Sequence, residues 1–132
     1  MTQSEQKAAA IRFIENFNHA DEKVFAGLIT EDFKFEIVSG LAAFPPIHGR
    51  QNFASTEAAT LKRLFPDGLK LKVETVISEG LHVAVLASAD TVASNGREYR
   101  QRYSFYLRFE GELIAEGREY NDTNLVREVF LT

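Results

Sequence analysis

From Leu81 to Asp122 the chain alternates apolar and polar side chains, and two short turns divide this stretch into three strands. After Tyr99 the odd positions read Tyr99, Gln101, Tyr103, Phe105, Leu107 and Phe109, against Arg100, Arg102, Ser104, Tyr106 and Arg108, so the odd set is expected to face a core. At Glu110-Gly111-Glu112 a two-residue loop would lay Glu112, Ile114, Glu116 and Arg118 beside Leu107 and Phe109. A three-residue loop with Gly111 at positive φ lays Leu113, Ala115, Gly117 and Glu119 there instead, a far better match, and sets Glu119 opposite Tyr103. Asn95-Gly96 is a strong hairpin signal, and a two-residue turn there pairs Val92 with Tyr99, Asp90 with Gln101 and Ser88 with Tyr103. These registers gather Ser88, Asp90, Gln101, Tyr103 and Glu119 on one inward patch ringed by Leu86, Val92 and Phe105. An apolar face carrying acids is the expected wall of a pocket.

Upstream, the period changes. Thr2 and Glu5 have capping-box spacing, and Ala10, Phe13, Ile14 and Phe17 then recur at helical intervals, predicting an amphipathic helix that ends near His19. Asp21 is placed to cap a short second helix through Leu28, after which Phe33, Phe35 and Ile37 alternate with Lys34, Glu36 and Val38 in a first strand. Phe44-Pro45-Pro46 reads as a loop, and Arg50 to Phe65 as a third helix with Phe53, Ala54, Ala58, Leu61 and Phe65 toward the core. Leu69, Leu71, Val73, Thr75 and Ile77 mark the next strand, and Asp122 caps a last helix carrying Leu125, Val126, Val129 and Phe130. Helices first and a strand meander after them predict an α+β fold.

Composition narrows the classes. The 132 residues, 45% of them hydrophobic, are expected to form one domain over positions 1–132 with a single core. A net charge of -4 with no basic run makes nucleic acid and anionic membrane surfaces poor partners. The absence of cysteine removes disulfides and thiolate chemistry, and His19, His48 and His82 show no metal-ligand spacing. No phosphate loop, dinucleotide fingerprint or G-x-S-x-G is present, so no cofactor is expected. Met1 to Lys7 is polar and lacks the apolar segment of a signal peptide, giving a cytoplasmic expectation.

Several stretches together carry a resemblance: Arg12-Phe13 followed by Asn18-His19-Ala20-Asp21, Glu31-Asp32 before the first strand, Pro46-Ile47-His48-Gly49-Arg50, and Gly117 to Thr123. In order and spacing the chain resembles the SnoaL-like and ketosteroid-isomerase-like branch of the nuclear transport factor 2 superfamily. The resemblance implies a cone-shaped curved antiparallel sheet, an α+β barrel wrapped around N-terminal helices, whose open end holds a small, mostly apolar molecule. Aligned to ketosteroid isomerase, its tyrosine falls on Phe13, its basic aspartate on Ile37 and its neutral acid near Phe105, so steroid isomerisation by those groups is rejected. Limonene epoxide hydrolase, on the same fold, is similar at the acids. Its arginine-x-aspartate falls on Ser88-Ala89-Asp90 and its second aspartate on Glu119, while its tyrosine and asparagine fall on Phe35 and Ile37.

Three functions compete. In an enzyme, an isomerase, cyclase or hydrolase, Glu119 would act with Tyr103 and Asp90 on a small apolar substrate. The expected pocket walls are Phe13, Phe17, Phe35, Ile37, Phe53, Ser88, Val92, Gln101 and Phe105, with His48 on the loop at the mouth. A binding protein would shelter such a molecule without chemistry, and an interaction module would have its cone filled with core. A homodimer is expected on the outer face of the sheet, which these registers build from Val83, Val85, Ala87 and Ala89 beside Tyr106, Ile114 and Tyr120, rimmed by Arg100, Arg102 and Arg108.

Overall fold

A computed structural model describes residues 1–132. Helix α1 (Gln3–Glu15) and short helix α2 (Glu22–Leu28) lead into strand β1 (Ile29–Ile37). A two-residue strand β2 (Ile47–His48) and helix α3 (Arg50–Leu64) follow, then strands β3 (Leu71–Glu79), β4 (His82–Val92), β5 (Glu98–Glu110) and β6 (Leu113–Asn121), and helix α4 (Thr123–Phe130). The capping box at Thr2 and Glu5 is made in both directions, and Asp21 and Asp122 cap α2 and α4 by accepting backbone N–H bonds. No helix is long and apolar enough to cross a membrane.

The six strands form one open sheet in the order β2-β1-β6-β5-β4-β3. The meander from β3 to β6 is antiparallel, whereas β1 lies parallel to β6. Register shifts interrupt β1, β3 and the β5–β6 pair, and each such bulge bends its strand, curving the sheet around the helices.

Two registers differ from the sequence expectation. At the β4–β5 turn the Ala93 N–H donates to Arg97 O and the Gly96 N–H to Ala93 O, closing a three-residue loop with Gly96 at φ 83°. One extra loop residue slides β4 by one position, so Thr91 pairs with Tyr99, Ala89 with Gln101 and Ala87 with Tyr103. A one-residue slip exchanges faces. Val83, Val85, Ala87 and Ala89 are therefore buried, and Leu86, Ser88, Asp90 and Val92 lie on the outer face. The energetic reason is visible in the strand: the alternative would bury His82 and Asp90 in place of four aliphatic side chains. The apolar outer face expected from Val83, Val85, Ala87, Ala89 and Ile114 is consequently corrected, since all five are core.

At the β5–β6 turn the loop is the two-residue Gly111-Glu112, with Gly111 at φ 59°, and Glu110 pairs with Leu113. A bulge then absorbs one residue, burying both Ile114 and Ala115 and returning Gly117 and Glu119 to the inner face. Glu119 thus faces inward as expected, but opposite Phe105 and not Tyr103. A bulge likewise exchanges faces within β3, leaving Ile77 exposed.

Phenylalanine fills the closed end of the cone. Phe13 and Phe25 from the helices meet Phe33 and Phe35 from β1 around Phe53 of α3, with ring centroids 4.9 Å apart for Phe33–Phe53 and 5.1 Å for Phe35–Phe53. Phe17 bridges from this cluster to Phe105 on β5 at 5.5 Å. Gly117 makes room for the packing: a Cβ there would lie 2.9 Å from the Phe35 ring and 3.3 Å from Leu107. Gly117→Ala is expected to destabilise the protein by about 1–3 kcal/mol, read as a lower urea midpoint with unchanged denaturant slope.

Candidate functional site

The open end of the cone holds a cavity of about 150 Å³. Its floor is Phe17, Phe35 and Ile37, and α3 supplies Thr56, Glu57, Thr60 and Leu61. The loop through Leu41, Phe44 and Pro45 covers one side; Tyr99, Glu119 and Asn121 come from the sheet, and Val126 and Phe130 from α4. The position of α4 is secured by two clamps. Gln101 accepts from the Asp122 N–H and donates to its carbonyl, both at 3.0 Å, and Arg97 grips the far end through the Glu128 and Val129 carbonyls and Thr132.

Two carboxyls stand in this cavity. Glu119 follows from the inner-face alternation of β6, pairs with Ile37 and Phe105 on either side, and is 6% exposed. Glu57 projects inward because it lies four residues from both Phe53 and Leu61 on the buried face of α3, and it is 7% exposed. Glu119 Oε2 accepts a 2.8 Å bond from the Asn121 amide; Glu57 has neither a hydrogen bond nor an ion pair. Burial disfavours the charged form and pushes Glu57 up to about 7. Burial together with the charge of Glu57 pushes Glu119 up to about 8, against the opposing bond from Asn121.

Tyr103 is not bonded to Glu119. Its hydroxyl lies 2.7 Å from that of Tyr99, and its ring stacks on Phe105 at 5.3 Å. Tyr99 is the tyrosine that lines the cavity, and burial raises the pKa of both phenols. Asp90 stands on the outer face, its side chain 77% exposed and 3.5 Å from Arg100. Of the other expected pocket residues, Phe17, Phe35 and Ile37 line the cavity, whereas Phe13, Phe53 and Phe105 are packed in the core beneath it. Ser88 and Val92 lie on the outer face, Gln101 is the α4 clamp, and His48 is exposed on β2 beyond the lining. Arg12 is exposed and holds no acid. No group of three or more His, Asp or Glu is gathered as a metal site.

Sequence reasoning missed Glu57. Its signal was present in the spacing of Phe53, Glu57 and Leu61, where a charged residue interrupts an otherwise apolar helical stripe.

The sequence profile of the SnoaL-like domain matches residues 10–117. The chain belongs to the SnoaL-like domain family. No curated protein matches its sequence. Among solved structures, a proposed isomerase from Bacillus subtilis superposes with a TM-score of 0.84 at 21% identity, over 98% of this chain and 96% of that one. A proposed SnoaL-like polyketide cyclase from Jannaschia sp. CCS1 gives 0.80 at 18% identity, over 96% and 91%. An LEH-like epoxide hydrolase from M. tuberculosis gives 0.78 at 16%, over 97% and 90%. At these identities the likeness is one of fold.

The two acids make this SnoaL-like domain pH-sensitive. Each is neutral in both folded and unfolded states below about pH 4.5 and ionised in both above its folded value. Between these limits the unfolded chain releases protons that the folded chain retains, so stability falls as pH rises from about 4.5 through about 8. The loss is on the order of 3 kcal/mol or more per acid. Urea denaturation should show Glu119→Gln equal to wild type near pH 4 and more stable than wild type near pH 8.

Proposed function

We propose that this SnoaL-like domain binds a small apolar molecule in the cavity and performs acid/base chemistry on it, without a cofactor, using Glu57 and Glu119. The observation that carries this reading is the pair of carboxyls buried in one apolar cavity, with environments that separate their titrations around neutral pH. Glu57 ionises first and serves as the base, while Glu119 retains a proton and serves as the acid. Tyr99, with Tyr103 behind it, can offer a neutral hydroxyl to charge that develops on the substrate. Isomerisation, cyclisation and hydrolysis all use such a pair, and proteins of similar fold carry the names isomerase, cyclase and epoxide hydrolase. Asp90 and Tyr103 are outside the proposed reacting groups.

A general test of a positioned base is 5-nitrobenzisoxazole, an apolar bicycle that opens when one C–H proton is removed. Wild type should accelerate its opening, with a rate that rises with pH as Glu57 ionises, and Glu57→Gln should lower that rate by at least about 100-fold. Rates indifferent to both Glu57→Gln and Glu119→Gln would defeat the acid/base reading. Ring binding without turnover would support the second reading, a sheltering protein, which is favoured by Phe13, Ile37 and Phe105 standing where the isomerase has its proton-handling groups.

We also propose a homodimer on the outer face of the sheet, rebuilt around Ile77, Leu86, Tyr106 and Tyr120. Ile77 is 59% exposed, Leu86 43% and Tyr120 41%, and they share this face with Ala84 and Ser104 inside a charged rim that includes Arg100, Arg102 and Arg118. Light scattering at micromolar concentration should report twice the chain mass, and Leu86→Lys should return it to the monomer. A wild-type monomer at that concentration would refute the dimer.

A further inference from the structure

The chemistry of the cavity restricts what it can hold. No lysine, arginine or histidine is among its lining residues, and all four ion pairs of the protein lie outside it. Glu57 is more than nine-tenths buried, lines the cavity and has no hydrogen-bonding or charged partner. Asn121 spends its amide N–H on Glu119, and its buried Oδ1 accepts from no donor. The Glu57 carboxyl and Asn121 Oδ1 are thus left without partners, in a site whose lining holds no positively charged residue. The remaining wall is aromatic, with Phe17, Phe35, Phe44, Phe65, Tyr99 and Phe130 bordering the space.

An anionic ligand would meet two acids and no cation here. A neutral one can give Glu57 at most a hydrogen bond and leaves the charge of its ionised, buried form uncompensated. A cation on an apolar body satisfies both parts of the site, because carboxylates and aromatic faces each attract positive charge, most strongly where water is excluded. We propose that the ligand of this cavity is a small hydrophobic ammonium compound, its charged nitrogen held by Glu57 and Glu119 and its hydrocarbon part by the aromatic wall. This rests on the cavity being a ligand site, as proposed above, and names the class of molecule that fills it. Size agrees, since an apolar cavity of about 150 Å³ takes a benzene-sized ring.

Binding of a cation should be linked to proton release. The groups facing the acids are the Tyr99 and Tyr103 hydroxyls of β5, both held neutral by burial, while β1, α4 and the covering loop bring no titratable side chain to the lining. The proton is therefore released by the glutamates: the ammonium keeps one ionised, and the other retains its proton for the reaction.

Calorimetry with benzylammonium, benzyl alcohol and benzoate, matched in size and different in charge, tests this directly. At pH 8 the ammonium should bind at least tenfold tighter than the alcohol, and benzoate should not bind. Ammonium affinity should rise about tenfold from pH 6 to pH 8, with a heat that depends on the buffer as protons are released. The Glu57→Gln, Glu119→Gln double variant should lose the preference while still binding benzyl alcohol, which also shows that it is folded. Alcohol binding as tight as ammonium binding, or a preference that survives in the double variant, would overturn the cation and leave the cavity reading standing. Failure of every probe to bind wild type would overturn both.

Discussion

The packing of phenylalanine rings between three helices and the concave face of the sheet is the interaction on which the rest of this structure depends. Rings from α1, α2, β1 and α3 contact one another around Phe53, mostly edge-on or tilted, with Phe13 stacked on Phe53 and Phe33 on Phe35, and Phe17 carries the contact across to Phe105. Rings of this size bury large apolar areas and add about 0.5–1.5 kcal/mol per favourable pair beyond that burial. They also demand a curved partner. A flat sheet could not reach both the helices and the β1 side of the cluster, and the bulges in β1, β3 and β6 supply the bend. Gly117 is the point where the demand is tightest, because the Phe35 ring occupies the space a side chain would take.

The same packing explains why a cavity exists. The rings fill the closed end, and beyond Phe17 and Phe35 the wall passes to Thr56, Glu57 and Thr60 of α3, Val126 and Phe130 of α4, and Leu41 and Phe44 of the covering loop. Apolar walls exclude water from Glu57 and Glu119, and no basic residue compensates them. Charged groups in that setting are costly, so the acids hold their protons to near-neutral pH and weaken the fold as they ionise. A buried acid pair that lowers stability is the arrangement expected of the acid/base site proposed above. The stabilising interactions lie elsewhere, in the phenylalanine cluster, the capped helices and the clamps on α4.

The two faces of the sheet divide the remaining work. Charges on the outer face pair along and between strands, as Arg108 and Arg118 do with Glu116. Exposed apolar residues sit between them. A one-residue change in the β4–β5 loop decides which side chains belong to which face, so this turn determines both the outer surface and the inner wall.

Sequence alone determined the order of every element except the two-residue β2, the helix caps at Thr2, Asp21 and Asp122, and the inward face of β5. These are local: a capping residue meets backbone a few positions away, and a period of two or of 3.6 fixes which side chains share a face. Tertiary structure decided the register of β4, the displacement of Glu119 from Tyr103 to Phe105, and the arrival of Glu57 beside it. Local preference at Asn95-Gly96 favours a two-residue turn, and the three-residue loop prevails because of what each would bury across the whole strand. Glu57 and Glu119 are brought together from α3 and β6 only when the sheet curls over the helix, and that curl is the summed effect of bulges and ring packing no local pattern records.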